Sequence, residues 1–191
     1  MIVVNLSTSR MVEDVAAKHG AEVIRTPVGE ANVVERMKKL KEEGRNVVLG
    51  GEGNGGVIWP EVVYIRDSLS AMALVLSLMT RTGKTVSQLV EQINSYAPGG
   101  KGYGIVKRKA DIPSKDAANP AVEAVAEHFA SERIDTQDGV RVDFDPAGPR
   151  AGAWIHVRAS NTEPIMRLIC EAPNKEIATA VLGEVEKVIA G

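Results

Sequence analysis

A glycine-rich segment in the first half of the chain places an acid and an amide among flexible backbone. It reads Gly51-Glu52-Gly53-Asn54-Gly55-Gly56 and follows an apolar run typical of a buried strand. Open α/β sheets bind ligands at the carboxyl ends of their strands. A carboxylate there accepts protons from two adjacent hydroxyls at once, which suits a sugar diol. We therefore expect Glu52 and Asn54 to bind a polyol, with a plain tight turn as the alternative.

A second polar segment, in the other half of the chain, combines a forked cation with short hydrogen-bond donors. It reads Arg158-Ala159-Ser160-Asn161-Thr162-Glu163-Pro164 and joins two runs of strand character. An arginine, two hydroxyls, an amide and free backbone N–H groups together fit a dianionic phosphate. The candidate phosphate-binding residues are Arg158, Ser160, Asn161 and Thr162. A polar hairpin turn is the competing interpretation.

Other patterns in the sequence are weaker signals for chemistry. The first segment formally matches the dinucleotide motif GxGxxG, but Val57-Ile58-Trp59-Pro60 follows it and cannot begin the helix that holds a pyrophosphate. The three histidines show no spacing typical of a metal site or a catalytic triad, so we expect no metal ligand among them. His156 shares a strand face with Arg158, and we expect it to be an exposed strand histidine.

The composition excludes several classes of partner. The 23 Lys and Arg against 25 Asp and Glu leave a formal net charge of -2, so we expect no nucleic-acid partner. The most apolar stretch, residues 71–79, is far shorter than the ~20 residues that cross a bilayer, so we expect no membrane partner. The single cysteine, Cys170, indicates a reducing compartment, and a cytoplasmic location is expected.

The elements that must position the glycine-rich segment form a first domain, residues 1–96. Short β-branched runs alternate there with segments of helical period, which predicts a three-layer α/β domain with a mixed sheet. The helix that opens at Ser68 is apolar on all sides, so we expect the sheet and a neighbouring domain to cover it. Strands are predicted at residues 2–4, 22–26, 46–49, 57–58 and 62–64.

The second polar segment lies in a second domain, residues 97–191. Residues 95–102 are rich in glycine and almost free of apolar side chains, which is typical of a linker. Beyond them the strands alternate, Asp138-Gly139 indicates a tight turn, and two amphipathic helices are predicted. This pattern predicts a smaller α+β domain with an antiparallel sheet of about four strands and two helices.

Together these segments resemble the carboxyl-terminal half of the α-D-phosphohexomutase superfamily, which holds phosphoglucomutases, phosphomannomutases and phosphoglucosamine mutases. Thr26-Pro27-Val28-Gly29, the glycine-rich segment and Arg66-Asp67 resemble its third domain. Asp138-Gly139-Val140-Arg141-Val142, the segment around Arg158, and then Arg167 and Glu171-Ala172 resemble its fourth domain. The resemblance covers essentially the whole chain.

The resemblance implies a division of labour between the two domains. Gly29, Glu52 and Asn54 would bind hydroxyls of the sugar, and the segment from Arg158 to Thr162 would bind the phosphate that is not reacting. The implied ligands are a hexose phosphate and a hexose 1,6-bisphosphate, which turns around midway through the family's reaction. Binding energy from the remote phosphate orients the reacting end.

The chain also departs from the family pattern. Many relatives carry Ser where Asn54 stands and His where Gly56 stands; some carry His or Asp where Glu30 stands and Lys where Asn5 stands. Glucose, mannose and glucosamine phosphates therefore stay open as substrates.

The family's serine phosphoryl donor and its aspartate-rich Mg2+ loop belong to its first and second domains, and neither motif occurs in this sequence. Phosphoryl transfer needs both, so the resemblance implies Mg2+ in a full-length enzyme and none on this chain. We expect a fragment of a phosphohexomutase that lacks the first and second domains, binds sugar phosphate, holds no catalytic nucleophile and lacks activity alone. Apolar surface left exposed by the missing domains can drive self-association that need not be biological. A stand-alone, non-catalytic sugar-phosphate-binding module is the alternative.

Overall fold

The computed structural model describes residues 1–112, 114, 117–160 and 164–190. The chain forms two compact units, Met1–Gly102 and Tyr103–Gly191. The predicted linker residues 97–102 pack with the first unit, because the Gly102 N–H donates to the Asn94 carbonyl at 3.1 Å and Ala97 is buried.

The first unit contains a mixed sheet of four strands in the order β2-β1-β3-β4. Strand β1 is parallel to β2 and β3, and β4 is antiparallel to β3. The strands are β1 (Ile2–Asn5), β2 (Val23–Thr26), β3 (Leu49–Gly51) and β4 (Val57–Ile58). The helices are α1 (Met11–Lys18), α2 (Glu30–Glu42), α3 (Ser68–Thr82) and α4 (Val86–Asn94). The predicted α/β class with a mixed sheet is confirmed.

One face of this sheet is covered by α2. Its apolar residues recur at helical spacing, and Val33, Met37 and Leu40 are buried against the sheet. Gly50 admits this packing, since a Cβ there would overlap the Met37 side chain. Residues 46–48 are predicted as strand but lie before β3. The neighbouring strand β1 begins at Ile2, which pairs with Leu49, so no residue of β1 lies opposite residues 46–48.

Two further predictions for this unit are wrong. Residues 62–64 form no strand, and they lie in the connection between β4 and α3. The sheet does not cover the outer face of helix α3, where Leu69 is 72% exposed and Leu76 is 61% exposed, while cover by a neighbouring domain stays a prediction. The reason is geometric, because the edge strand β4 beside α3 has only two residues and offers little surface. A capping carboxylate, Asp67, accepts hydrogen bonds from the N–H groups of Leu69 and Ser70 and fixes where α3 begins.

The second unit is an antiparallel sheet of five strands in the order β5-β9-β8-β7-β6, one strand more than expected. The strands are β5 (Gly104–Asp111), β6 (Arg133–Asp135), β7 (Val140–Asp143), β8 (Trp154–Ala159) and β9 (Ile165–Ala172). Helices α5 (Ala118–His128) and α6 (Lys175–Ala190) pack on one face of it. The predicted α+β class is confirmed.

Alternation along the strands assigns residues to the two faces of this second sheet. In β9, Met166, Leu168 and Cys170 belong to the core shared with the helices, so Arg167 and Glu171 lie on the other face. Burial raises the pKa of the Cys170 thiol to about 12, and the neighbouring Glu171 charge adds to the effect.

No helix in the described ranges has the length and apolar character needed to span a bilayer.

Candidate functional site

The glycine-rich segment turns sharply at the carboxyl end of β3. Gly51 ends the strand, the Gly55 N–H donates to the Glu52 carbonyl at 3.1 Å, and the Glu52 N–H donates to the Gly56 carbonyl at 3.2 Å. The Asn54 side-chain oxygen accepts the Gly56 N–H at 3.0 Å. Asn54 therefore braces the turn with its oxygen and keeps its amide Nδ2 without a partner among the described residues.

Glu52 is held in one orientation by its neighbours. Its Oε1 accepts the Asn5 amide at 2.9 Å and the Gly29 N–H at 3.2 Å, and its side chain is 8% exposed. Asn5 is buried, and its oxygen accepts from the Ser7 N–H and the Thr8 hydroxyl. Gly29, which the resemblance assigns to the sugar site, lies beside Glu52, and its N–H is directed to the carboxylate.

Arg66 and Glu30 complete the surroundings of Glu52. Arg66 Nη1 lies 3.5 Å from Glu52 Oε2, while the Arg66 Nε donates to Glu30 Oε2 at 2.6 Å and its backbone N–H donates to Glu30 Oε1 at 3.0 Å. The hydrogen bonds from the Arg66 backbone and then from its side chain lower the pKa of Glu30. Gly56 makes room for this arrangement, because a Cβ there would overlap Arg66 Cδ and lie 2.8 Å from Cγ.

A largely apolar cavity of about 340 Å³ lies behind the glycine-rich turn in the same unit. It is bordered by Glu52, Gly55 and Gly56, and apolar side chains of β1, α1 and α4 line it, among them Ile2, Val4, Val12 and Ile93. Glu52 and the glycine-rich turn therefore lie at the edge of this apolar cavity.

The second predicted segment begins at the end of β8. Arg158 is the second-last residue of that strand, and the Ser160 N–H donates to the Ile165 carbonyl at 2.9 Å, so the two strands close a loop between them. Ser160 is buried. Asn161 and Thr162 lie outside the described residues.

The Arg158 guanidinium has unused hydrogen-bonding capacity. Its Nη1 donates weakly to the Ala159 carbonyl at 3.3 Å, and its buried Nε has no acceptor in the part of the chain that the structure describes. An unsatisfied buried donor costs free energy, and an anion at the loop would supply the acceptor that it lacks among the described residues.

Strand register extends the positive charge beyond Arg158. Arg158 lies directly opposite Arg167, and Arg167 lies directly opposite Lys109. All three side chains belong to the sheet face that carries no helix, and none makes an ion pair with a described carboxylate. We call these three residues the cationic row. Like charges directly opposite one another destabilise a sheet, so the cationic row favours a bound anion.

His156 is not the exposed residue that the sequence predicts. It is fully buried, and its Nε2 lies 2.7 Å from the Asp138 carbonyl. Burial lowers its pKa, against a smaller opposing effect from Asp138. Gly139, which follows Asp138, has a φ of +66°, and a Cβ on it would lie 2.7 Å from Arg158 Cβ. The Asp138-Gly139 turn therefore packs directly against Arg158.

The sequence marks Arg66 and Arg167 only as parts of family motifs, and it gives no signal that Lys109 belongs to the same site. Their roles depend on which residues face one another across strands and loops. Period-two spacing gives Arg158 and Arg167 a strand face each, but only the register brings them together.

Comparison with known proteins identifies the class to which this fold and these residues belong. Residues 1–96 match the profile of phosphoglucomutase/phosphomannomutase alpha/beta/alpha domain III, and residues 105–188 match that of the phosphoglucomutase/phosphomannomutase C-terminal domain. The chain belongs to the phosphoglucomutase/phosphomannomutase family, which confirms the resemblance drawn from the motifs.

Particular relatives agree with this assignment. The chain is 32% identical to a phosphoglucomutase/phosphomannomutase of Thermococcus kodakarensis, over 95% of this chain and 36% of that protein. It is 34% identical to a "probable phosphoglucosamine mutase" of Methanopyrus kandleri, over 96% of this chain and 37% of that protein. A phosphoglucomutase/phosphomannomutase family protein of Burkholderia thailandensis shares the fold, with a TM-score of 0.69 at 20% identity over 98% of this chain and 36% of that one. The chain thus spans a little over a third of the length of these relatives, which are phosphohexomutases.

Proposed function

We propose that this chain supplies the substrate-binding domains of a phosphohexomutase that interconverts the 1- and 6-phosphates of a hexose. The first unit binds sugar hydroxyls through Glu52 and Asn54, beside Gly29. The second unit binds the phosphate through Arg158, Ser160, Asn161 and Thr162. The names of the relatives support the reaction class, and they leave the hexose open between glucose, mannose and glucosamine.

The cationic row is the observation that carries this proposal. Among the described residues these three neighbouring cations have no acidic partner, and one of them has a buried donor without an acceptor, which is an arrangement that a bound anion would stabilise. Arg158 can form two parallel hydrogen bonds to a phosphate, and Arg167 and Lys109 add charge beside it. A sugar phosphate satisfies all three.

The held carboxylate of Glu52 supports the sugar-binding part. Its Oε1 is fully engaged, while its Oε2 accepts no hydrogen bond from the described residues and can accept hydroxyl protons. A preorganised acceptor loses little entropy when the sugar binds. Because Glu52 recognises hydroxyls and not the reacting atoms, the same contacts serve a hexose bound in either orientation.

The Mg2+ implied by the family does not fit the residues described here. In the described ranges, no group of three or more His, Cys, Asp or Glu lies together so as to hold a metal ion. We propose that the metal and the phosphoryl donor act on other domains of the enzyme, and the role assigned to this chain involves neither.

Titration with glucose 6-phosphate and mannose 6-phosphate, followed by NMR amide shifts, tests the proposal. We expect binding by the chain, and a loss of at least roughly tenfold in affinity for Glu52→Gln and for Arg158→Gln, since each removes a charged hydrogen-bonding group. Lys107→Gln is the matched control, because Lys107 lies on the same strand face as Lys109 but opposite Ile169. Glucosamine 6-phosphate is titrated in the same way, and no binding to any of the three sugar phosphates would overturn the proposal.

A coupled mutase assay with Mg2+ and glucose 1,6-bisphosphate separates a mutase from a binding module. We expect no turnover by this chain alone, and turnover once the remaining domains of the Thermococcus kodakarensis relative are supplied in trans. Binding without any turnover in that mixture would favour the stand-alone sugar-phosphate-binding module.

A further inference from the structure

Arg25, the third residue of β2, clamps the connection between β1 and α1. Its Nη1 donates to the backbone carbonyls of Asn5 at 3.0 Å and Thr8 at 2.9 Å. Its Nε donates at 2.8 Å to the carboxylate of Glu13, which lies in the first turn of α1. The Arg25 side chain is only 13% exposed. One planar guanidinium thus ties the end of β1, the connection and the start of α1 to β2.

The clamped connection contacts the sugar site in two ways. The Thr8 hydroxyl donates to Asn5 Oδ1 at 2.9 Å, which leaves the Asn5 amino group to donate to Glu52 Oε1, also at 2.9 Å. The Ser7 carbonyl packs against the glycine-rich turn, because a Cβ on Gly53 would lie 2.9 Å from its oxygen. The position of the connection therefore determines both the direction of the carboxylate and the path of the turn that carries it.

We propose that Arg25 is a positioning residue for the sugar site, which holds residues 5–9 in place and, through Asn5, holds the Glu52 carboxylate. This inference rests on the proposed function and adds to it a residue of β2 that lies outside both polar segments. A carboxylate that is held before binding loses little conformational entropy when it accepts hydroxyl protons, whichever way round the hexose lies. Arginine suits this role because its planar fork reaches several acceptors at once, whereas a lysine has a single nitrogen.

NMR titration of Arg25→Gln and Arg25→Lys tests the role, with the tightest-binding of glucose, mannose and glucosamine 6-phosphate as the ligand. We expect each variant to bind it roughly threefold to tenfold more weakly, since the carboxylate must then be ordered on binding. Inorganic phosphate should bind the variants and the unaltered chain equally, because Arg25 belongs to the first unit and the proposed phosphate site to the second. The Gly29 amide proton, which donates to Glu52 Oε1 at 3.2 Å, should shift upfield in the ligand-free variants as that hydrogen bond weakens.

A double-mutant cycle separates this role from a general loss of structure. If Arg25 acts through the carboxylate, Arg25→Gln should weaken binding by less than about twofold in a Glu52→Ala background. Arg45→Gln is the matched control, since it removes an arginine–carboxylate pair with Glu22 on the surface of the same unit. It should change neither the affinity nor the Gly29 shift.

Two results would overturn the inference and leave the proposed function standing. One is unchanged sugar-phosphate affinity in a folded Arg25 variant, and the other is a loss that persists in full in the Glu52→Ala background. If neither Arg25 variant folds, Thr8→Val, which removes only the hydroxyl that orients Asn5, decides the question by the same affinity and the same Gly29 shift. If the unaltered chain binds none of the three sugar phosphates, the proposed function fails and the inference with it.

Discussion

Replacing the middle residue of the cationic row tests whether the sheet is built around an anion. Arg167 faces Arg158 on one side and Lys109 on the other. Arg167→Gln removes two directly opposed like-charge pairs, and each such pair costs roughly 0.2–1 kcal/mol. Without phosphate, we therefore expect Arg167→Gln to stabilise the second unit by about 0.5–2 kcal/mol.

The ligand should act against this difference. A ligand present at a hundredfold excess over its Kd stabilises the folded state by about 2.7 kcal/mol. If Arg167→Gln weakens binding tenfold, the same concentration contributes about 1.4 kcal/mol less. The unaltered chain should thus gain more from glucose 6-phosphate than the variant gains.

Urea unfolding monitored by Trp154 fluorescence measures both effects. Trp154 is fully buried in the second unit, and a Trp59→Phe background removes the other tryptophan signal. Low ionic strength keeps the charges unscreened. Lys107→Gln, which removes a cation facing Ile169, should change stability by less than about 0.5 kcal/mol. Destabilisation by Arg167→Gln in phosphate-free buffer, or equal gains from ligand in both proteins, would refute the reasoning.

Three further outcomes are expected. Leu168→Ala in the fully buried core should cost about 2–5 kcal/mol in urea unfolding, whereas Leu76→Ala on the exposed face of α3 should cost less than about 0.5 kcal/mol; similar costs would contradict the assigned burial. Gly56→Ala should displace Arg66 from beside Glu52, so an NMR titration should show weaker binding of glucose 6-phosphate. Gly55→Ala, with open space at its Cβ, is the control that alters the turn without touching Arg66. Equal affinities of Gly56→Ala and the unaltered chain would count against a role for the Gly56–Arg66 contact in binding. The pKa of His156 is lowered in the folded state, so this histidine takes up a proton at higher pH in the unfolded chain, and the free energy of unfolding should fall as the pH drops below about 6.5. His156→Gln should make the free energy of unfolding, measured with urea between pH 7.5 and 5.5, depend less on pH. An unchanged pH dependence would contradict this reasoning.

The alternation of apolar residues predicts much of the fold. Most of the antiparallel strands of the second unit follow period-two patterns that can be read from the sequence, because one face is buried under helices and the other carries mostly polar and charged residues. Helix α3 shows the limit of the pattern: an all-apolar helix predicts burial without saying which element buries it, and the two-residue strand β4 is too short to do so.

The sequence predicts which residues of the candidate site carry its chemistry, but it does not predict which residues contact them. Glu52 and Arg158 stand out because their neighbours in sequence are glycines and short donors. The contacts that orient them come from distant positions: Asn5 reaches Glu52 from β1, and Asp138 reaches His156 from a hairpin turn. Such pairings depend on register and loop path, which a single sequence does not encode locally.

The buried Cys170 makes this protein convenient for spectroscopy. With its pKa raised to about 12 and no exposed surface, the native thiol forms almost no thiolate at neutral pH and stays silent toward maleimide reagents. Cysteines introduced on the surface can therefore be labelled selectively in the otherwise unaltered chain. A spin label or a fluorophore pair placed in the two units would then report how their separation responds when a sugar phosphate is added.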